Sequence, residues 1–82
     1  MSNIRLTQED IEATIVSEEY TKMGKKTTVC LLTLRNGFEI IGTSGCVDPA
    51  NFNEAIGRKF AKEQAVEKIW QLEGYRLQCS LS

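Results

Sequence analysis

The sequence predicts an α+β domain of order α-β-β-β-α, with a three-stranded antiparallel sheet and both helices on one face, and three observations carry that prediction. Asn36-Gly37 lies between two β-rich runs, TTVCLLTLR and FEIIGTSGC, which is the strongest short hairpin signal. Thr7 followed by Asp10 opens a short apolar-periodic stretch, and Asp48-Pro49 opens a long one with Asp as N-cap and Pro in the first turn. Helices at both ends of a run of antiparallel strands must bury their apolar stripes on the sheet, and in α+β folds they gather on one face of it.

The first element spans about Thr7 to Ile15. Leu6 and Ile11 stand one residue before the cap and four after it, the relation of a hydrophobic staple, and Ile15 continues the same face. From Val16 the helical period is lost, and Ser17 to Lys22 reads as an edge strand whose Glu and Lys residues guard it. Gly24 supplies the positive φ of the turn into a strand from Thr27 to Arg35.

That strand turns back at Asn36-Gly37 into Phe38 to Cys46, and two registers compete. A two-residue loop sets Leu34 against Glu39, whereas a three-residue loop with Gly37 left-handed pairs Leu34 with Phe38 and Leu32 with Ile40. The second register gives the cleaner face. It gathers Cys30, Leu32, Leu34, Phe38, Ile40 and Gly42 on one side, leaving Val29, Leu31, Thr33, Arg35, Glu39, Ile41 and Thr43 on the other.

Gly42-Thr43-Ser44-Gly45 reads as a loosening strand end, and Val47 with Phe52 repeats the staple at the second helix. This helix is expected from Pro49 to about Leu72, kinked near Gly57. Its row Gly57, Ala61, Ala65 permits close approach to a sheet, and Gly74 serves as the left-handed C-cap. The tail YRLQCSLS is expected to form a short strand or to fray.

A chain of 82 residues makes one domain that buries only about two thirds of its unfolded surface, so self-association would help it. Ten basic against eleven acidic residues leave a net charge of -1 and no global field for nucleic acid or anionic lipid. Cys30, Cys46 and Cys79 are widely spaced and there is no His, so neither a zinc site nor a paired disulfide framework is expected, and no cofactor or metal. MSNIRLTQED lacks the apolar core of a signal peptide, and no run approaches the roughly 18 apolar residues of a membrane span. A cytoplasmic protein without a membrane contact is the expectation.

Four constellations invite a functional reading. Cys46, just before a helix start, could be a nucleophile, but no base accompanies it and a small core residue is favoured. GTSG before a helix loosely resembles a phosphate-cradling loop, yet Asp48 already places a carboxylate on the helix N-terminus. Arg58, Lys59, Lys62 and Lys68 on the second helix resemble, in element order, the basic helix of double-stranded-RNA-binding domains. Interleaved Glu54, Glu63 and Glu67 favour a solvated face instead. Trp70 and Tyr75 flank the expected C-cap and suit either core closure or a protein contact.

Across Thr28 to Tyr75, the residues Asn36-Gly37-Phe38-Glu39, Cys46-Val47-Asp48-Pro49, Asn51-Phe52, Gly57, Ile69-Trp70 and Leu72-Glu73-Gly74-Tyr75 make up a pattern. In it the chain resembles a family of small phage and prophage proteins of uncharacterised role. The resemblance implies an accessory protein acting in the bacterial cytoplasm during infection or lysogeny, and it carries no catalytic or binding residue across.

The expected function is therefore non-enzymatic: binding of a host component, either a protein or a small ligand such as a nucleotide. A nucleic-acid-binding module is the alternative. Val29, Leu31 and Ile41, with Trp70 and Tyr75, are the candidate interface residues. A homodimer is expected, either by stacking sheets through the Val29, Leu31 and Ile41 patch or by pairing an edge strand across a two-fold axis.

Overall fold

The structure is a computed structural model and describes residues 6–81. It has the expected order: α1 (Gln8–Ala13), β1 (Ile15–Met23), β2 (Thr27–Leu34), β3 (Glu39–Gly45), a short 3-10 turn at Pro49–Asn51, and α2 (Glu54–Leu81). The strands form one antiparallel sheet in the order β1-β2-β3, with both helices on one face.

At α1 the capping box is complete. The Asp10 N–H donates to Thr7 Oγ1 at 3.2 Å, and the Thr7 N–H donates to Asp10 Oδ2 at 3.0 Å. Ile11 is buried and Leu6 packs against the same core, as the staple requires. The helix stops at Ala13, two residues short of expectation, and Ile15 begins β1 instead. Thr14 ends it, its hydroxyl donating to Ile11 O at 2.7 Å. β1 is longer than the expected Ser17 to Lys22 and carries an irregularity between Ile15 and Ser17.

The hairpin takes the three-residue register. Leu32 faces Ile40, the Leu34 N–H donates to Phe38 O at 2.8 Å, and Gly37 sits at φ +89°. Phe38, however, is not a core residue: it lies beyond the last β2–β3 ladder pair, Thr33 with Glu39, and is 54% exposed. The core consists of Ile11, Cys30, Leu32, Leu34, Ile40, Ala61, Ala65 and Ile69, flanked by Leu6, Ile15, Tyr20, Val66 and Trp70. Each fully buried Leu or Ile contributes about 1.5–3 kcal/mol.

The row Gly57, Ala61, Ala65 lets α2 lie close on β2 and β3. A Cβ built on Gly42 would overlap the carbonyl oxygen of Ala61 and come within 2.5 Å of the Ala65 nitrogen, and one on Gly57 would meet Thr28 Oγ1 at 2.5 Å. GTSG is therefore not a loosening end: Gly42 to Gly45 stay in the ladder opposite Cys30 to Thr27.

The second helix departs most from expectation. Asp48 does not cap it. Its carboxylate accepts the Ala50 N–H at 3.0 Å and fixes the 3-10 turn, while the cap is Asn53, whose Oδ1 accepts the Ile56 N–H at 3.1 Å. The Val47–Phe52 staple is absent, since Val47 is 93% exposed and Phe52 lies under Lys22, 4.5 Å from its ring centroid. Gly57 falls in the first turn of α2. Gly74 is no C-cap: it keeps a negative φ and α2 runs on through the tail to Leu81, so YRLQCSL is helix, not strand or fray. At about 42 Å against about 27 Å for β2, α2 overhangs the sheet.

Candidate interaction surface

The strand alternation divides the sheet into a face beneath the helices and a face that no described element covers. On the open face β2 contributes Thr27, Val29, Leu31 and Thr33. Leu31 lies between Glu19 of β1 and Ile41 of β3, and Val29 lies between Thr21 and Thr43. Val29 and Leu31 are half-buried by these neighbours, and Ile41 remains 50% exposed. The structure thus brings together three of the five candidate residues.

Met23, opposite Thr27 and diagonal to Val29, extends the patch and is largely exposed. Sequence reasoning missed it because the expected strand ended at Lys22. Trp70 and Tyr75 are not part of this surface. Both lie in the interior of α2, on the other side of the sheet: Trp70 packs on the core beside a groove it shares with Gln8 and Glu12 of α1, and Tyr75 is exposed.

The helix face carries a polar network that spacing did not reveal. Lys62 of α2 lies 2.9 Å from Glu18 of β1 and 3.7 Å from Glu12 of α1, and the Tyr20 hydroxyl donates to Glu18 at 2.8 Å. The bond from Lys62, then that from Tyr20, holds the Glu18 carboxyl below its ordinary pKa, and Glu18 in turn holds Lys62 above its own. Burial foremost, then the bond to Glu18, pushes Tyr20 upward, and burial likewise raises the Cys30 thiol. A raised thiol is a poor nucleophile. Cys46 is half-buried, with its thiol donating to Asp48 O at 2.9 Å.

Four of the five basic side chains on α2 are engaged within the chain, Arg76 with Glu73 at 2.8 Å among them. Arg58 pairs with Glu54 at 3.7 Å and lies over the Tyr20 ring, Lys62 joins the network above, and Lys68 donates to Ile41 O at 2.6 Å. Three of the four GTSG amides are likewise occupied: the Thr43 N–H donates to Gln64 Oε1 at 2.7 Å, and Gly42 and Ser44 pair with β2. Gln64 and Lys68 together cover the middle of the outer edge of β3.

A short helix and a long one over one face of a three-stranded sheet, with the other face open, define a small α+β protein. Residues 6–81 match the family described as Phage protein (N4 Gp49/phage Sf6 gene 66) family, and the chain belongs to it. No curated protein and no solved structure matches the chain. Among the described residues, no helix is long and apolar enough to cross a membrane.

Proposed function

We propose that this chain is a non-enzymatic phage accessory protein that acts in the bacterial cytoplasm by binding a host protein, with the open sheet face around Leu31 as its contact surface. The observation that supports this reading is the uncovered row of Met23, Val29, Leu31 and Ile41 in so small a domain. An apolar patch rimmed by Glu19, Glu39 and the hydroxyls of Thr21 and Thr43 has the layout of a protein contact, with an apolar centre and a polar rim. A duplex-RNA surface has less in its favour, because Arg58, Lys62 and Lys68 already hold partners inside the chain.

Affinity capture from host lysate tests the reading. Leu31→Lys puts an unpaired charge at the centre of the patch. It is expected to abolish capture of the partner held by the unmodified protein while leaving circular dichroism and Tm little changed. Capture of the same partner by both proteins would overturn the assignment of this face.

A further inference from the structure

We propose that the exposed edge of β1 is a self-recognition strand, and that two copies of this chain pair through it, antiparallel and centred on Tyr20, to form one continuous six-stranded sheet. The inference concerns assembly and does not depend on which host partner the open face takes.

The two edges of the sheet differ. The bonds from Leu34 to Phe38 and from Cys46 to Lys26 show that even-numbered residues of β2 exchange backbone bonds with β3. Odd-numbered residues of β2 therefore face β1, where they meet Ser17, Glu19, Thr21 and Met23. The backbone groups of Glu18, Tyr20 and Lys22 consequently point out of the sheet, and no partner for them occurs among the described residues. β3 is different, because Gln64 and Lys68 take the outward Thr43 N–H and Ile41 carbonyl. A strand edge with unpaired backbone groups is a template for another strand, and the Glu and Lys side chains that guard β1 against other strands admit one of matching charge.

Charge selects both the occupant and the register. Centring the two-fold on Tyr20 sets Tyr20 against Tyr20 of the second copy, and Glu18 against Lys22 on either side. All three facing pairs then involve outward-pointing residues, so each exchanges two backbone hydrogen bonds. Opposite charges and paired aromatic rings are favourable cross-strand neighbours. Sliding the centre to Glu18, Glu19 or Lys22 instead places like charges face to face. Centring on Thr21 avoids like charges but brings no opposite charges together, so the Tyr20 register is the one in which the strand is charge-complementary to itself across a two-fold axis. α2 packs on β2 and β3 and reaches β1 through two side chains, Arg58 over the Tyr20 ring and Lys62 on Glu18, so the outward backbone groups of β1 stay uncovered.

Light scattering at micromolar concentration is expected to give twice the mass of the chain. Lys22→Glu sets two like-charge pairs across the axis and should weaken the dimer by about tenfold or more. Glu18→Lys alone breaks the bond to Lys62 and also sets like charges across the axis, so the double variant Glu18→Lys, Lys22→Glu, which restores opposite charges there, should dimerise more tightly than Glu18→Lys. Lys22→Pro removes only an outward N–H, so it should give a folded monomer by circular dichroism.

Register is read by cross-linking in a Cys46→Ser, Cys79→Ser background. A mixture of Glu19→Cys and Thr21→Cys proteins should form a disulfide, because these positions face each other at about 4.5 Å between Cα atoms. Neither protein should do so alone. A monomeric unmodified protein would overturn the proposal, as would a dimer whose affinity is unchanged by both Lys22→Glu and Lys22→Pro. Leu31→Lys separates the two readings, since it should leave this dimer intact while removing the host contact.

Discussion

Replacing Gly42 with Ala puts the close packing of α2 on β3 to a direct test. The added methyl would overlap the Ala61 carbonyl oxygen and lie 2.5 Å from the Ala65 nitrogen and 2.8 Å from its Cβ. Ordinary contact begins near 3.4 Å, so relief needs α2 to lift by about 1 Å along a seam where Ala61, Ala65 and Ile69 are fully buried. The first two obstacles are backbone atoms and cannot rotate away. Overpacking costs about 1–3 kcal/mol where side chains can adjust, and a backbone obstacle belongs at the top of that range. Against a total stability of about 4–12 kcal/mol for a chain of this size, a loss of about 3 kcal/mol lowers Tm by about 12–24 °C. Thermal and urea denaturation followed by circular dichroism would measure it. Gly45→Ala, where a Cβ meets nothing within 4 Å, is the control. A Gly42→Ala Tm within about 3 °C of the unmodified protein would refute the reasoning.

Gly74 lies inside α2 at negative φ with space around its Cα, so Gly74→Ala should stabilise by about 1 kcal/mol and raise Tm by several degrees in a thermal melt. Thr28 buries a hydroxyl that has no hydrogen-bond partner, and Thr28→Val should gain about 1 kcal/mol in urea denaturation, the reverse of the usual loss in a core. The Glu18–Lys62 pair makes stability depend on pH at both ends. A carboxylate with a lowered folded pKa loses its contribution as pH falls through that value, and an ammonium with a raised one loses it as pH rises through that value. Stability from the pair should be complete near neutrality and fall in acid, and Glu18→Gln should flatten the acid limb of Tm against pH. Both side chains are about a third exposed, so the change should stay within about 1 kcal/mol.

Short-range signals were decisive where nothing nearby competed with them. Thr7 and Asp10 form their box, and Asn36-Gly37 fixes a register that the alternation of Leu32, Leu34 and Ile40 makes unambiguous. They misled where a better rival stood close by. Asp48-Pro49 has the chemistry of a helix start, but Asn53 caps the uninterrupted helical stretch, leaving Asp48 to hold a 3-10 turn. Gly74 offered a stop, yet a single glycine costs a helix only about 1 kcal/mol, and the chain beyond it stays helical. The GTSG run looked loose because its own propensity is poor, while its place in the sheet comes from pairing with Thr27 to Cys30. The open-face patch was legible from alternation alone. The Lys62 network and the cover over β3 were not, since they join residues far apart in the chain.

The side chains of Gln64 and Lys68 do more than satisfy two backbone groups. A sheet with both edges open has no natural end: each added copy offers a fresh edge, and growth proceeds into a ribbon or fibre. By laying an amide and an ammonium across the middle of β3, α2 obstructs that edge and leaves β1 as the more open one. The pairing proposed for β1 would then use up the more open edge when the second copy arrives. Substitution of Gln64 and Lys68 by alanine would thus change the kind of assembly as well as its strength, turning a closed pair toward an open-ended polymer.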